Sequence, residues 1–184
     1  MKMTVSLNFL KGLAVGAAAT VLSGLMIAYL FVDLGLIPAN ADAKPPALEK
    51  WAARKSLHAT IAREAPRTPN PVALNDENLV AGVRLYAANC AVCHGAADGA
   101  ASNIAKGLYQ RAPQLAKHGV TDDEEGETYW KIDHGIRMTG MPSYRATLSE
   151  TQIWQLALFL KHMDELTPAA LKAWKAVPSQ ASGA

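Results

Sequence analysis

The sequence predicts an all-α protein with one transmembrane helix at its N-terminus and a helical domain behind it. Three observations carry that prediction. A long apolar block without a charged side chain stands near the start of the chain. Further along, apolar residues recur at the spacing of helix faces, and no segment alternates convincingly as a strand would. The chain has 184 residues and a formal net charge of +2. Its Lys and Arg residues are scattered with no basic run, so composition excludes nucleic acid as an expected partner.

The first element is the apolar block from Gly12 to Val32. As a helix rising about 1.5 Å per residue it reaches roughly 30 Å, the thickness of a hydrocarbon core. Lys2 and Lys11 precede it and Asp33 and Asp42 follow. The positive-inside tendency then places the N-terminus in the cytoplasm and the remainder on the outer face, and Tyr29 and Phe31 fall near the outer boundary. Residues 1–37 are therefore expected to be a single-pass anchor. A cleavable signal peptide competes with this reading, because Ala39-Asn40-Ala41 and Ala41-Asp42-Ala43 fit the small-residue cleavage pattern. The length of the apolar run favours the anchor, and the rest of the chain is exported either way. Gly12, Gly16, Thr20 and Gly24 recur every four residues, a stripe along which a second membrane helix could pack closely.

Residues 38–72 read as a linker containing one helix. Pro38 to Pro46 is rich in Ala and Pro, and Ala65 to Pro71 holds three prolines. Between them Ala47 to Glu64 has helix-forming composition, with Leu48, Trp51, Ala52 and Leu57 as a loose apolar stripe that would lean on the membrane or on the main domain. The main domain is expected over 73–167. It opens with a helix from Asp76 to about Cys93, on which Leu79, Gly82, Val83 and Tyr86 share a face. A Gly- and Ala-rich stretch follows, then a short helix around Asp122 to His134. Ser149 with Gln152 forms a capping-box pattern that starts the closing helix, whose apolar positions are Ile153, Leu156, Phe159, Leu160 and Met163. Residues 168–184 are expected to be a short helix and a mobile tail.

The chemistry is concentrated in Cys90-Ala91-Val92-Cys93-His94, a C-x-x-C-H motif and the signature of c-type haem attachment. On a helical turn, two thiols three positions apart can reach both vinyl groups of one porphyrin. His94 is then placed to put an imidazole nitrogen on the iron. A thioredoxin-like pair would need flanking strands, a structural zinc site a second pair of ligands, and a bare disulfide would leave His94 without a role. Cys90 and Cys93 are the only cysteines, so a disulfide framework is excluded.

The iron also needs a sixth ligand or an open position. Met141, within Thr139-Gly140-Met141-Pro142, is the candidate: a thioether is a soft ligand, and a His/Met pair raises the potential toward electron-transfer values. Met138 and His134 are the rival ligands.

With these residues in view, the stretch from about Leu79 to Leu166 resembles the class I cytochrome c family, in a membrane-anchored bacterial form. The matching positions are Gly82, Tyr86, Cys90, Cys93, His94, the Thr139–Pro142 methionine loop and the helix Trp154–Leu160. The resemblance implies a cytochrome c-like helical domain around one covalent haem c, its first and last helices crossing where Gly82 permits close contact beside Tyr86 and Phe159. It also implies a proline carbonyl that accepts the other ring N–H of the haem histidine. Gln110 and Ala112 stand where related chains often carry prolines. Pro113 is present, and the carbonyl that orients His94 stays open at this level. Arg111 and Trp130 are candidate donors to the haem propionates, alongside their plain readings as a solvated charge and a packing aromatic.

The function expected from these readings is that of an electron carrier rather than an enzyme. One haem would exchange single electrons with redox partners on the periplasmic side of a bacterial inner membrane, free-standing or within a respiratory or dehydrogenase complex. A haem enzyme or gas sensor with a labile sixth ligand is the alternative, and Met141 is what discriminates them.

Overall fold

A computed structural model describes residues 6–181. Lys2, one of the two lysines expected on the cytoplasmic side, and the last three residues of the expected tail lie outside the described residues. The described residues contain helices and loops and no strand.

The first helix, α1 (Leu7–Asp33), starts at Ser6, whose hydroxyl accepts a hydrogen bond from the Phe9 amide at 3.3 Å. Its 27 residues reach about 40 Å, beyond the expected span on the N-terminal side. It is the one helix among the described residues long and apolar enough to cross a membrane. Gly12, Gly16 and Gly24 face open space, and the Thr20 hydroxyl folds back onto the Gly16 carbonyl at 2.9 Å. The chain divides into two compact units between Ala43 and Lys44.

The second unit is larger than the expected 73–167. It takes in α2 (Ala47–Glu64), which the sequence reading placed in a linker, and α8 (Pro168–Lys175), which it placed beyond the domain. Both have a physical reason to belong. Ile61 of α2 is buried against the domain, and Trp174 of α8 is buried in its main core.

Between them run α3 (Asp76–Asn89), α4 (Ala91–His94), α5 (Asn103–Gly107), α6 (Glu125–His134) and α7 (Glu150–Lys161). Asn75 caps α3 through the Asn78 amide at 2.9 Å, and Asp76 and Glu77 complement the helix dipole. The helix expected to run to Cys93 stops at Asn89. Cys90, at φ −114° and ψ −37°, ends α3 and begins the separate turn of α4. Ser149 and Gln152 form the predicted capping box of α7, with Ser149 N–H on Gln152 Oε1 at 2.8 Å and Gln152 N–H on Ser149 Oγ at 3.3 Å.

The core forms where α3 packs on α7, with α8 against α3 and α6 against α7. Leu79, Val83, Tyr86, Ile153, Leu156 and Phe159 are fully buried there. Gly82 makes the contact possible: a Cβ at that position would lie 2.3 Å from the Gln155 carbonyl oxygen and 2.7 Å from Phe159 Cβ. Tyr86, Phe159 and Trp174 then meet edge to face, with centroids 5.3–5.6 Å apart.

Candidate functional site

Tyr86 lies one helical turn before Cys90 and sets the position of the motif. Its buried hydroxyl donates to the Gly95 carbonyl at 2.9 Å, tying the end of α4 to α3. Burial drives its pKa well above the usual phenol range. Cys93 N–H and His94 N–H both bond back to the Cys90 carbonyl, at 3.0 and 2.9 Å, so the motif is one closed turn. That turn presents Cys90, Cys93 and His94 to a single cavity of about 410 Å³.

His94 is oriented by a contact that the sequence left open. Its Nδ1 lies 2.9 Å from the Pro113 carbonyl oxygen. A carbonyl can only accept, so Nδ1 carries the hydrogen and Nε2 keeps its lone pair for a metal. Burial lowers the His94 pKa, with the Pro113 bond opposing it in part, and this favours the neutral imidazole a metal requires. The Pro113 segment is itself fixed. The Leu115 amide donates to the His94 carbonyl at 3.1 Å, and Gln114 Nε2 donates to the Cys93 carbonyl at 3.0 Å.

The loop after α6 supplies the other wall. Met141 lines the same cavity, its amide donating to Thr139 Oγ1 at 3.1 Å and its carbonyl accepting from the Ile136 amide at 3.1 Å. Gly140 lets the loop pass close to Leu108, whose Cδ2 would lie 2.5 Å from a Cβ at that position and would have to swing aside. The remaining walls are largely apolar and include Leu115, Val120, Ile132, Ile136 and Leu160. Tyr144 also lines the cavity, and its hydroxyl donates to the Asn89 carbonyl at 2.7 Å. Burial pushes the Cys90 thiol up to about 12, helped by neighbouring Cys93, and pushes Tyr144 up to about 12 as well.

Of the residues singled out from sequence, the structure gathers Cys90, Cys93, His94, Met141, Arg111 and Pro113 around this cavity. It leaves Trp130, Met138 and His134 off its lining. Trp130 is buried, stacked on His134 with ring centroids 4.6 Å apart. His134 Nδ1 lies 3.2 Å from the Trp130 carbonyl and its Nε2 2.9 Å from Arg145. Met138 is 73 % exposed, at φ +61°. Sequence reading missed Tyr144, Leu108 and two residues of α2, Arg54 and Leu57, which reach the cavity from a helix far away in the chain.

The donor set suits a haem iron: one neutral imidazole with a free Nε2, one thioether, two thiols on the turn that carries the imidazole, and a mostly apolar enclosure. A family model described as cytochrome C oxidase, cbb3-type, subunit III matches residues 77–160. Neither the curated proteins nor the solved structures yield a match to the chain.

Proposed function

Starting from residues 77–160 as a domain of the class I cytochrome c family, which implies covalently bound haem c, we propose that the chain is a membrane-anchored monohaem cytochrome that carries single electrons. Two cysteines in one C-x-x-C-H turn provide for one haem. When bound, that haem supplies a one-electron iron couple.

The protein's part is to hold, tune and shield. Cys90 and Cys93 would tether the haem, and His94 Nε2 and the Met141 sulfur would be the donors to its iron. The Pro113 carbonyl keeps the His94 ring in the right tautomer and at a fixed angle. Leu115, Ile132, Ile136 and Leu160 exclude water, so the donors sit in a low dielectric and need little rearrangement when charge changes. The observation that carries this reading is that His94 and Met141, far apart in the chain, line one cavity together with both thiols.

Lys11 near the start of α1 and Asp33 at its end fit an anchor with its N-terminus in the cytoplasm, and this supports a domain on the periplasmic side of a bacterial inner membrane. The matching family's description is that of an oxidase subunit, and the spacing of Gly12, Gly16, Thr20 and Gly24 along α1 suits close packing against a second membrane helix. Both support a place in a membrane respiratory complex with redox-protein partners.

The test is a pyridine haemochrome assay on the membrane fraction after acid–acetone extraction, joined to an optical redox titration. Haem that stays with the chain, one per polypeptide, and a low-spin His/Met spectrum are expected. Extractable haem, or rapid CO binding by the reduced protein, would refute the electron-carrier reading.

A further inference from the structure

One wall of the cavity is built by a helix outside the matched residues 77–160. Arg54 and Leu57 of α2 line it, and with Ile61 they fall at i, i+3 and i+7 on one helix face. The helix is held on both sides of these residues. On the C-terminal side Ile61 is only 4 % exposed, and α2 packs on α6. On the N-terminal side the Tyr109 hydroxyl donates to Glu49 Oε2 at 2.8 Å. Tyr109 belongs to the segment that also carries Arg111 and Pro113. Between Glu49 and Ile61 the helix runs about 18 Å, and the cavity-lining residues lie within that span.

Charge points the same way. The cavity is lined by three cations, Arg54, Arg111 and Lys131, and by no carboxylate. Lys131 is already paired with Asp123 at 2.5 Å. Arg54 and Arg111 have no ion pair among the described residues. Haem carries two carboxylates as well as its iron, and a guanidinium is the side chain best shaped to receive one.

Resting on the reading of the domain as a haem c carrier, we propose that α2 is a strap across the mouth of the haem cavity. In it Arg54 pairs with a haem carboxylate, Leu57 keeps water out, and the Arg54 charge holds the midpoint potential up. The direction follows from electrostatics: reduction adds one negative charge beside a fixed cation, so the cation favours the ferrous state. Water excluded by Leu57 strengthens the effect, because the local dielectric falls.

The test is an optical redox titration of the full-length, haem-loaded protein and its Arg54→Lys, Arg54→Gln and Arg54→Glu variants. Arg54 is exposed, so the series leaves the core intact. At the wild-type midpoint, Arg54→Gln should raise the ferric-to-ferrous ratio about two- to fivefold, the worth of one partly exposed ion pair. At 59 mV per decade for one electron this is a fall of about 20–40 mV. Arg54→Glu should fall further, and Arg54→Lys should stay near the wild type, with the His/Met spectrum unchanged throughout. A midpoint indifferent to the charge at position 54, or an Arg54→Lys variant that falls as far as Arg54→Gln, would overturn the strap. If the wild type itself lacks covalent haem, the carrier reading falls with it. A covalent-haem wild type with a flat series overturns the strap alone.

Discussion

Gly82→Ala sets two effects of opposite sign against each other. In an exposed helix, Gly to Ala gains about 1 kcal/mol of propensity. At position 82 the added methyl would lie 2.3 Å from the Gln155 carbonyl oxygen and 2.7 Å from Phe159 Cβ, roughly 1 Å inside ordinary contact distance. Neither obstacle is the loose end of a side chain: one is backbone of α7, the other the root of a buried ring. The helices must part, loosening Tyr86, Ile153 and Leu156, and overpacking of this kind costs about 3 kcal/mol at the upper end of its usual range. The net loss is then about 2 kcal/mol, a fall in Tm of about 4–8 °C for a unit of this size. Far-UV circular dichroism of the detergent-solubilised protein measures it. Gly107→Ala is the control, because a Cβ there meets nothing within 4 Å and should leave Tm level or slightly raised. If Gly82→Ala matched or exceeded the wild type in Tm, the argument that this crossing demands a glycine would be wrong.

Three further outcomes follow from the site. Met141→Ala should abolish the low-spin His/Met spectrum and lower the midpoint potential, while Met138→Ala should change neither; the reverse pattern in absorbance would reassign the ligand. In chain prepared without haem, a Cys90 thiol raised to about 12 leaves little thiolate at pH 8. Alkylation of Cys90, followed by mass spectrometry, should therefore be at least about a hundredfold slower folded than in urea. Because the unfolded chain gives up that proton first, stability of the haem-free form should fall as pH rises past about 8.5, and a rise would contradict the assignment. Finally, Arg145 donates through Nε and a terminal nitrogen to Asp133 Oδ2, whose side chain is buried, and so spans the loop that carries Met141. Arg145→Ala should destabilise the fold by leaving the buried Asp133 carboxylate without its partner, and the methionine–iron charge-transfer band should fade at a lower temperature on heating. Asp133→Asn added to it should recover part of the loss.

Much of this was legible in the sequence wherever the signal is local. Ser149 and Gln152 announce a helix start because both bonds lie within one turn, and C-x-x-C-H announces its chemistry because all its parts do. The bounds of the unit were harder to see. Trp174 belongs to the core only because Tyr86 and Phe159 wait for it, and nothing in the sequence around Trp174 states that. The helix Ala47–Glu64 was legible as a helix, yet Leu48 and Trp51 of its expected stripe are exposed, and the face that packs uses Leu57 and Ile61, the latter outside that stripe. The carbonyl that orients His94 depends on how the 108–115 segment folds back, which no single residue encodes. Trp130 reads as a candidate propionate donor because buried carboxylates want such donors; the structure buries it, stacked on His134 and off the cavity lining, a placement set by contacts that no local pattern states.

The ring cluster of Tyr86, Phe159 and Trp174 also carries a consequence for timing. Phe159 and Trp174 stand close together in the chain, but Tyr86 lies far before both, so a large loop must close before its ring meets theirs, and such closures are slow. Throughout that interval the cysteines beside Tyr86 stay within reach of whatever machinery stitches porphyrin to protein. In the folded unit burial pushes the Cys90 thiol up to about 12, so at neutral pH it stays protonated where it lines the cavity. Attachment that proceeds through thiolates is therefore faster on the open chain than after the three rings have closed together.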